Sequence, residues 1–511
     1  MIRAHAPAAV RAAEEAAAEH LPEGLQTLVG RASSAVARVV GEQLRGRAGR
    51  VYGSRLVLLV GPGTNGGDAL HAGALLARRG AAVTALLTSE RVHAGGLAAL
   101  RAAGGRVVED GAGERGLAAV AAADVLLDGL LGTGGRPGLR DAAAALAAAA
   151  SRSAAVVVAV DVPSGADVST GALPDEVDGV VPAVRADVTV ALGTAKPSLL
   201  LPPASALAGR VVPAPVGLRA DDLGVPATER LEAVDLAARW PVPAAESDKY
   251  SRGVLGVVAG GAQYTGAAVL STGAAVRAGA GMVRYLGPTP PTDLVRARWP
   301  EVVPGAGRVQ AWLLGPGVDP DDEGQDEHVR DALAQDVPCV VDAGALPALV
   351  HALADGERGD GGTLVVPHAG ELVRLLDLLG HGCSRGDVQA RPLEHARRAA
   401  DAAGVVVLLK GSTTLVVAPG EQARPVRAQD DGTGWLATAG SGDVLAGVVG
   451  ALAALGLDLV DAGSVGAAVH GLAAHAASGG GPLHAEAVLH AVPEVVAALL
   501  ADLPGGPPVR D

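Results

Sequence analysis

From Arg55 onward, short valine and leucine runs alternate with alanine-rich stretches of helical length: RLVLLV, then DALHAGALLARRG, then AAVTALLT. Uninterrupted apolar runs of this kind read as strands buried on both faces, and their alternation with helices predicts βαβ units around a parallel sheet. Val125 to Leu127, Val156 to Val160 and Val188 to Leu192 extend the series. Between roughly Pro202 and Ser247 the period is lost, and proline, alanine and acidic residues take over, which predicts a junction. A second α/β pattern follows in VLGVVAGG, AWLLGPG, CVVDAG, TLVVPH, VVVLLKG and TTLVVAP. No repeat of solenoid length appears. The expectation is an α/β chain of two domains, at residues 1–217 and 235–511, joined by a linker at 218–234.

Composition narrows the chemistry. Half of the 511 residues are hydrophobic, but there is no Phe and only four Tyr and four Trp, so stacking platforms for single-stranded nucleic acid are not expected. The net charge of −14 also argues against a face that binds nucleic-acid backbone. Cys339 and Cys383 are far apart and show no zinc-site spacing, which fits a reducing cytoplasm. Glu14, Glu15 and Glu19 among alanines give no apolar leader pattern, and the apolar run Val444 to Leu457 is too short to cross a bilayer. A cytoplasmic protein without a membrane partner is expected. Only three of the 41 basic side chains are lysines: Lys196, Lys249 and Lys410. All lie in Gly/Ser/Thr-rich stretches where a compact ammonium could serve a phosphate or a proton transfer.

In the first half, Gly61-Pro-Gly-Thr-Asn-Gly-Gly-Asp68 lies between a strand and a helix and formally satisfies GxGxxG, with Glu90 after the next strand. Asp68 would repel a pyrophosphate there, and the loop lacks a P-loop's Lys-Ser/Thr ending. An oxygen-rich turn of this kind suits a cation or sugar hydroxyls. Asp128-Gly-Leu-Leu-Gly-Thr-Gly-Gly-Arg-Pro-Gly138 and Asp161-Val-Pro-Ser-Gly165 follow two further strands. Loops at the carboxyl ends of parallel strands converge on one crevice, so the three segments could share a site, although each alone reads as an ordinary turn.

In the second half, Ala439-Gly-Ser-Gly-Asp443 opens an apolar helix. Its backbone N–H groups suit a phosphoryl oxygen, and Asp443 suits a base that takes a hydroxyl proton; otherwise it is a helix cap. Lys410-Gly-Ser-Thr-Thr414 supplies an ammonium and three hydroxyls, an inventory suited to nucleotide phosphates.

GPGTNGGDA, LLDGLLGTG, VDVPSGADVSTG and RADVTVALGTAKPSLL resemble the epimerase half of the bifunctional NAD(P)H-hydrate repair enzymes, over most of residues 1–217. This implies a Rossmann-like three-layer domain. It implies K+ on Asn65, Asp128 and Ser164, and the hydrated nicotinamide nucleotide on Thr64, Asn65, Gly66, Gly67 and Asp68, on Gly132, Thr133, Gly134, Gly135, Arg136, Pro137 and Gly138, and on Asp161. Asp161 and Lys196 become the candidates for proton transfer at C6. DKYSRGVLGVVAGG, LLGPGVDP, VVDAGAL, VVPHAGEL, LLKGSTT and ATAGSGDVLAG follow in the order of the ribokinase-like, ADP-dependent dehydratase half, over residues 235–500. There the resemblance implies adenine nucleotide on Lys410, Gly411, Ser412, Thr413, Thr414 and Gly442, and hydrate on Ala267, Gly317, His368 and Asp443. Mg2+ with ADP or ATP would drive phosphorylation of the hydrate hydroxyl, Asp443 acting as base, followed by loss of phosphate. Thr64, Ala69, Gly344 and Ala369 depart from the usual Asn, Gly, Asp and Pro.

The implied function is interconversion of R- and S-NAD(P)HX and dehydration of the S form. The competing readings are an ATP-dependent kinase of a small, hydroxymethylpyrimidine-like alcohol with a ligand-binding first domain, and an interaction module with a decayed first site. Preference between ADP and ATP, or between NADHX and NADPHX, is open, as is the choice between monomer and homo-oligomer.

Overall fold

A computed structural model describes residues 1–177 and 179–501. The chain divides into two compact units, Arg3–Thr228 and a second from Glu229 onward that also takes in Met1–Ile2. Residues 218–234, expected as a linker, carry the helix Ala220–Leu223 and the strand Thr228–Arg230. Leu223 and Leu231 are buried and give this segment its own apolar anchors.

Seven parallel strands form the sheet of the first unit: β1 (Arg55–Val60), β2 (Ala82–Leu87), β3 (Arg106–Val108), β4 (Val125–Gly129), β5 (Val156–Val160), β6 (Val188–Leu192) and β7 (Arg210–Ala214), in the order β3-β2-β1-β4-β5-β6-β7. Successive side chains of a strand face opposite ways, and here both faces are buried. Leu56, Leu58 and Val60 join one core with the helices Leu25–Ala48 and Thr64–Arg78. Val57 and Leu59 join another with the helix Asp141–Ser151. The domain therefore has three layers, as expected. Strand order reverses between β1 and β4, where the Gly61 amide donates to the Gly129 carbonyl at 3.1 Å. Such a switch point leaves a crevice beyond the strand ends.

The sheet of the second unit includes β8 (Val254–Val258), β9 (Met282–Leu286), β10 (Val303–Pro304), β11 (Ala311–Leu314), β12 (Cys339–Val341), β13 (Thr363–Val365), β14 (Val406–Leu409), β15 (Thr414–Val417) and β16 (Val426–Gln429). These run β16-β15-β14-β13-β12-β11-β8-β9-β10. They are parallel from β14 to β10, while β15 and β16 are antiparallel additions at the β14 side. The helix Ser441–Ala454 is buried all round from Val444 to Ala454, so its unbroken apolar sequence is a core feature. The strand order of this sheet reverses between β8 and β11, where the Gly260 amide donates to the Pro316 carbonyl at 2.7 Å.

Candidate active sites

In the first unit the loops after β1, β4, β5 and β6 meet. Glycine is required where they touch. A Cβ on Gly61 would lie 1.8 Å from the Leu130 carbonyl oxygen, one on Gly66 would lie 2.3 Å from the Gly61 oxygen, and one on Gly132 would lie 2.4 Å from Asn65 Oδ1. The close approach buries Asn65 and Asp68 in the first turns of their helix, and Thr64 stays exposed. Asp128, wholly buried at the end of β4, accepts from the Ser164 amide at 2.9 Å, the Ser164 hydroxyl at 2.7 Å and the Leu130 amide at 3.1 Å. The Asn65 carboxamide donates to the Val160 carbonyl at 2.6 Å and the Leu131 carbonyl at 3.3 Å, and Ser164 Oγ lies 3.1 Å from the Leu131 carbonyl oxygen. Burial pushes the Asp128 carboxyl up to about 6 against the pull of its three hydrogen bonds.

This donor set is all oxygen with one carboxylate, which fits a weakly charged hard cation and not a thiolate- or imidazole-seeking one. Among the described residues no group of three or more His, Cys, Asp or Glu converges as a metal site.

Asp161 adopts φ +67° just beyond β5, a strained conformation that aims its carboxylate at Lys196. Asp161 Oδ1 accepts from the Leu192 amide at 3.0 Å and from Lys196 Nζ in a buried ion pair. Lys196 Nζ also donates to the carbonyls of Leu192, at 2.7 Å, and Thr194, at 3.1 Å. An ammonium has three hydrogens, so all three are committed. Asp68 stands close by: burial, with the Asp161 charge behind it, pushes its carboxyl up to about 7. The loop 132–138 folds against the 162–165 turn, the Gly138 amide donating to the Gly165 carbonyl at 2.8 Å.

In the second unit Lys410 ends β14 and bridges to His368. Its ammonium lies 3.1 Å from Asp342 Oδ1 and 3.4 Å from Glu371 Oε2. A Cβ on Gly442 would sit 3.3 Å from Lys410 Nζ, so the ammonium lies against the turn that opens the helix Ser441–Ala454. Burial disfavours the Lys410 charge, but Asp342 and Glu371 outweigh it and hold its pKa above the ordinary value. Burial raises Asp342 in return. Burial also lifts Asp443, with the Asp342 charge adding to it, to about 7, and Asp443 makes no capping hydrogen bond.

His368 is a helix cap: its Nδ1 accepts from the Gly370 amide at 2.9 Å and its own amide donates to Glu371 at 2.8 Å. Its ring remains more than half exposed. Ala267 and Gly317 pack together, a Cβ on Gly317 falling 2.6 Å from that of Ala267. Thr413 is buried, and Gly411 and Ser412 are exposed in the hairpin between β14 and β15. Sequence reasoning passed over Asp342 and Glu371 as site residues, although both lie in quoted segments, VVDAGAL and VVPHAGEL. It also passed over His470, buried and pushed down to about 4 by its surroundings. In sequence Asp342 and Glu371 look like ordinary strand-end and capping residues, and His470 like a core position of an apolar helix.

Two α/β units, each with a buried carboxylate and ammonium constellation at the crevice of its sheet, define an enzyme with two sites. Residues 255–486 match the profile of NAD(P)H-hydrate dehydratase, and residues 25–198 that of the YjeF-related protein N-terminus. The chain is 45% identical over 456 residues to the bifunctional NAD(P)H-hydrate repair enzyme Nnr of Mycobacterium tuberculosis H37Rv, covering 88% of each chain. It is 43% identical over 473 residues to that of Mycobacterium leprae, covering 91% of this chain and 92% of the other. Among solved structures, the Bacillus subtilis ADP/ATP-dependent NAD(P)H-hydrate dehydratase co-crystallised with ATP and Mg2+ is similar to 52% of this chain and 97% of its own, at 24% identity and TM-score 0.47. The chain belongs to the family of bifunctional NAD(P)H-hydrate repair enzymes.

Proposed function

We propose that the first unit interconverts R- and S-NAD(P)HX and that the second dehydrates S-NAD(P)HX to NAD(P)H at the expense of ADP or ATP, in the cytoplasm. The observation that carries the reading is the identity to Nnr enzymes along both halves, joined to a carboxylate–ammonium pair at the crevice of each sheet. The same two-sided match disfavours a small-alcohol kinase.

In the first site the nucleotide lies across the glycine loops 64–68 and 132–138. Asn65, Asp128 and Ser164 would hold K+, which would supply a positive charge beside the buried Asp128 carboxylate. Lys196, with every hydrogen committed, holds Asp161 in its strained position. Epimerisation protonates the C6 hydroxyl; the C6–O bond breaks, the ring nitrogen lone pair forms an iminium and water leaves. Water then adds to the other face of C6 and gives its extra proton to a carboxylate.

In the second site the hairpin 410–414 and the turn at Gly442 hold the nucleotide, and Ala267, Gly317 and His368 line the hydrate pocket. Asp443 takes the proton of the C6 hydroxyl as that oxygen attacks the terminal phosphorus. Loss of phosphate with a C5 proton restores the dihydropyridine, phosphate being a far better leaving group than hydroxide. Carboxylates such as Asp342 or Glu371 would hold Mg2+ with the nucleotide, and the ion would supply positive charge to offset that on the transferring group.

The test is recovery of reduced-nicotinamide absorbance from a mixture of R- and S-NADHX with Mg2+, K+ and ADP or ATP. Wild type is expected to convert the whole mixture faster than spontaneous epimerisation allows, and Asp443→Asn to lose about 100-fold or more in rate. A plateau once the S form is spent overturns the epimerase half. A stable phosphoester with no recovery overturns the dehydratase half.

A further inference from the structure

Building on this reading of the first site, we propose that Glu14 is a second acid–base residue of the epimerase pocket, carried there by the helix Pro7–Ala18 as one wall of the site. The YjeF-related profile begins at residue 25, beyond this helix. The sequence alone showed Glu14 only as one of several acids among alanines.

Backbone geometry brings the helix to the site. Residues 3–5 run beside the segment that leads into Lys196: Ala4 bridges to Ala195, and the His5 amide donates to the Ala195 carbonyl at 3.0 Å. His5 Nδ1 lies 2.8 Å from Thr194 Oγ1, which donates to the Arg3 carbonyl at 3.2 Å. The helix then turns its buried stripe, Val10 and Ala13, onto Leu223. Glu14, four residues after Val10, stands at the edge of that stripe and is half-buried. Three residues earlier, Arg11 reaches the loop 132–138, its Nη1 3.9 Å from where a Gly134 Cβ would be. The helix therefore faces both the glycine loop and the Lys196 turn.

The chemistry requires a group of this kind. Epimerisation needs a proton delivered to the departing hydroxyl and one collected from the entering water, and the two oxygens occupy opposite faces of C6. Lys196 has no uncommitted hydrogen, and Asp161, with Oδ1 bound by both Lys196 and the Leu192 amide, has its other oxygen for one of the two transfers and not both. Glu14 lies within electrostatic reach of Lys196, Asp161, Arg11 and Glu15, and its charge is felt at Asp68. Glu14, Asp68 and Asp161 thus form a cluster of three mutually interacting carboxyls, with Lys196 paired to Asp161. Burial holds both Glu14 and Asp68 above their ordinary values, so the cluster retains a proton to give. Asp68 is more deeply buried and accepts from Ser33, leaving Glu14 as the accessible member.

The test uses full-length wild type, Glu14→Gln and Glu14→Asp with separated R- and S-NADHX and K+. Without nucleotide the dehydratase is silent, and interconversion is followed by chromatography across a pH series after subtraction of the spontaneous rate. Glu14→Gln is expected to lower kcat at least about tenfold with little change in KM and to lose one limb of the pH profile. Glu14→Asp is expected to recover part of both, and dehydration of the S form with ADP or ATP to remain at the wild-type rate. An unchanged kcat and pH profile in Glu14→Gln overturns the proposal alone. Equal losses in both variants with an unaltered profile also overturn it, since they mark a packing role. A wild type that does not interconvert the epimers overturns the reading of the site and this proposal with it.

Discussion

The scarcity of lysine singled out three side chains, and the structure separates them. Lys196 and Lys410 are each locked to carboxylates at a sheet crevice, while Lys249 is exposed and stacks over Tyr250 at 5.2 Å. A compact ammonium suits both buried positions because it serves several acceptors at once from one point. The acids beside them are costlier. Asp443 is pushed from 3.8 up to about 7, so between these values the native state binds a proton that the unfolded chain has released. The stabilisation this proton gives is fully present below about pH 4 and is lost as pH rises through about 7, where the base becomes active. Asp443→Asn should therefore stabilise the second unit at about pH 8, by on the order of 2–4 kcal/mol, with the gain shrinking toward pH 4. Thermal melts of wild type and variant across that range check this; a gain independent of pH would show that Asp443 ionisation carries no such cost. The catalytic counterpart is a fall in kcat/KM for dehydration as pH drops below about 7.

At the scale of elements, both sites are made by turns that pack backbone on backbone. Gly344 is an example: it stands where the resemblance led to the expectation of an acid, and a Cβ there would lie 2.1 Å from the Val318 carbonyl oxygen and 2.9 Å from its carbon. The obstacle is main chain and cannot swing aside. Restoring the customary residue by Gly344→Asp is expected to destabilise the second unit by about 2–4 kcal/mol without raising the dehydratase rate. Denaturant melts and initial rates test it, and a faster, equally stable variant would show that the turn can open.

The elements that the sequence announced were those buried on both faces: RLVLLV, VVVAV, VTVAL and the six apolar runs of the second half all lie in strands. Met282–Leu286 and Val426–Gln429 were not picked out, because each carries arginine and lies toward a side of the sheet where periodicity weakens. Asn65, Asp128, Asp161 and Ser164 could be grouped from the sequence because each follows a strand with glycine nearby. Glu14 could not, since its place depends on Ala4 and His5 bridging to a segment 190 residues away, a contact that leaves no local mark.

For the whole molecule, the question is what two sites on one chain require of each other. The proposed residues of each lie in one unit: Asn65, Asp128, Asp161 and Lys196 in Arg3–Thr228, and Asp342, Lys410 and Asp443 in the unit that runs on from Glu229. Each unit also has its own core, one around β1 and β4 and one around the helices Ser441–Ala454 and Leu459–Ser478. A dehydratase specific for one epimer strands the other, so fusion ensures that both activities are made in equal amounts, while none of the proposed residues serves both catalytic steps. Equimolar Asp161→Asn and Asp443→Asn chains, each defective at one site, are therefore expected to convert an R and S mixture completely when combined, at about half the wild-type rate. Freely diffusing S-NADHX carries the reaction from one chain to the other, and adding excess of the Asp443→Asn chain should accelerate the R-limited phase in proportion. Complementation well below half, unaffected by that excess, would show instead that the S epimer is handed over within a single chain before it reaches solvent.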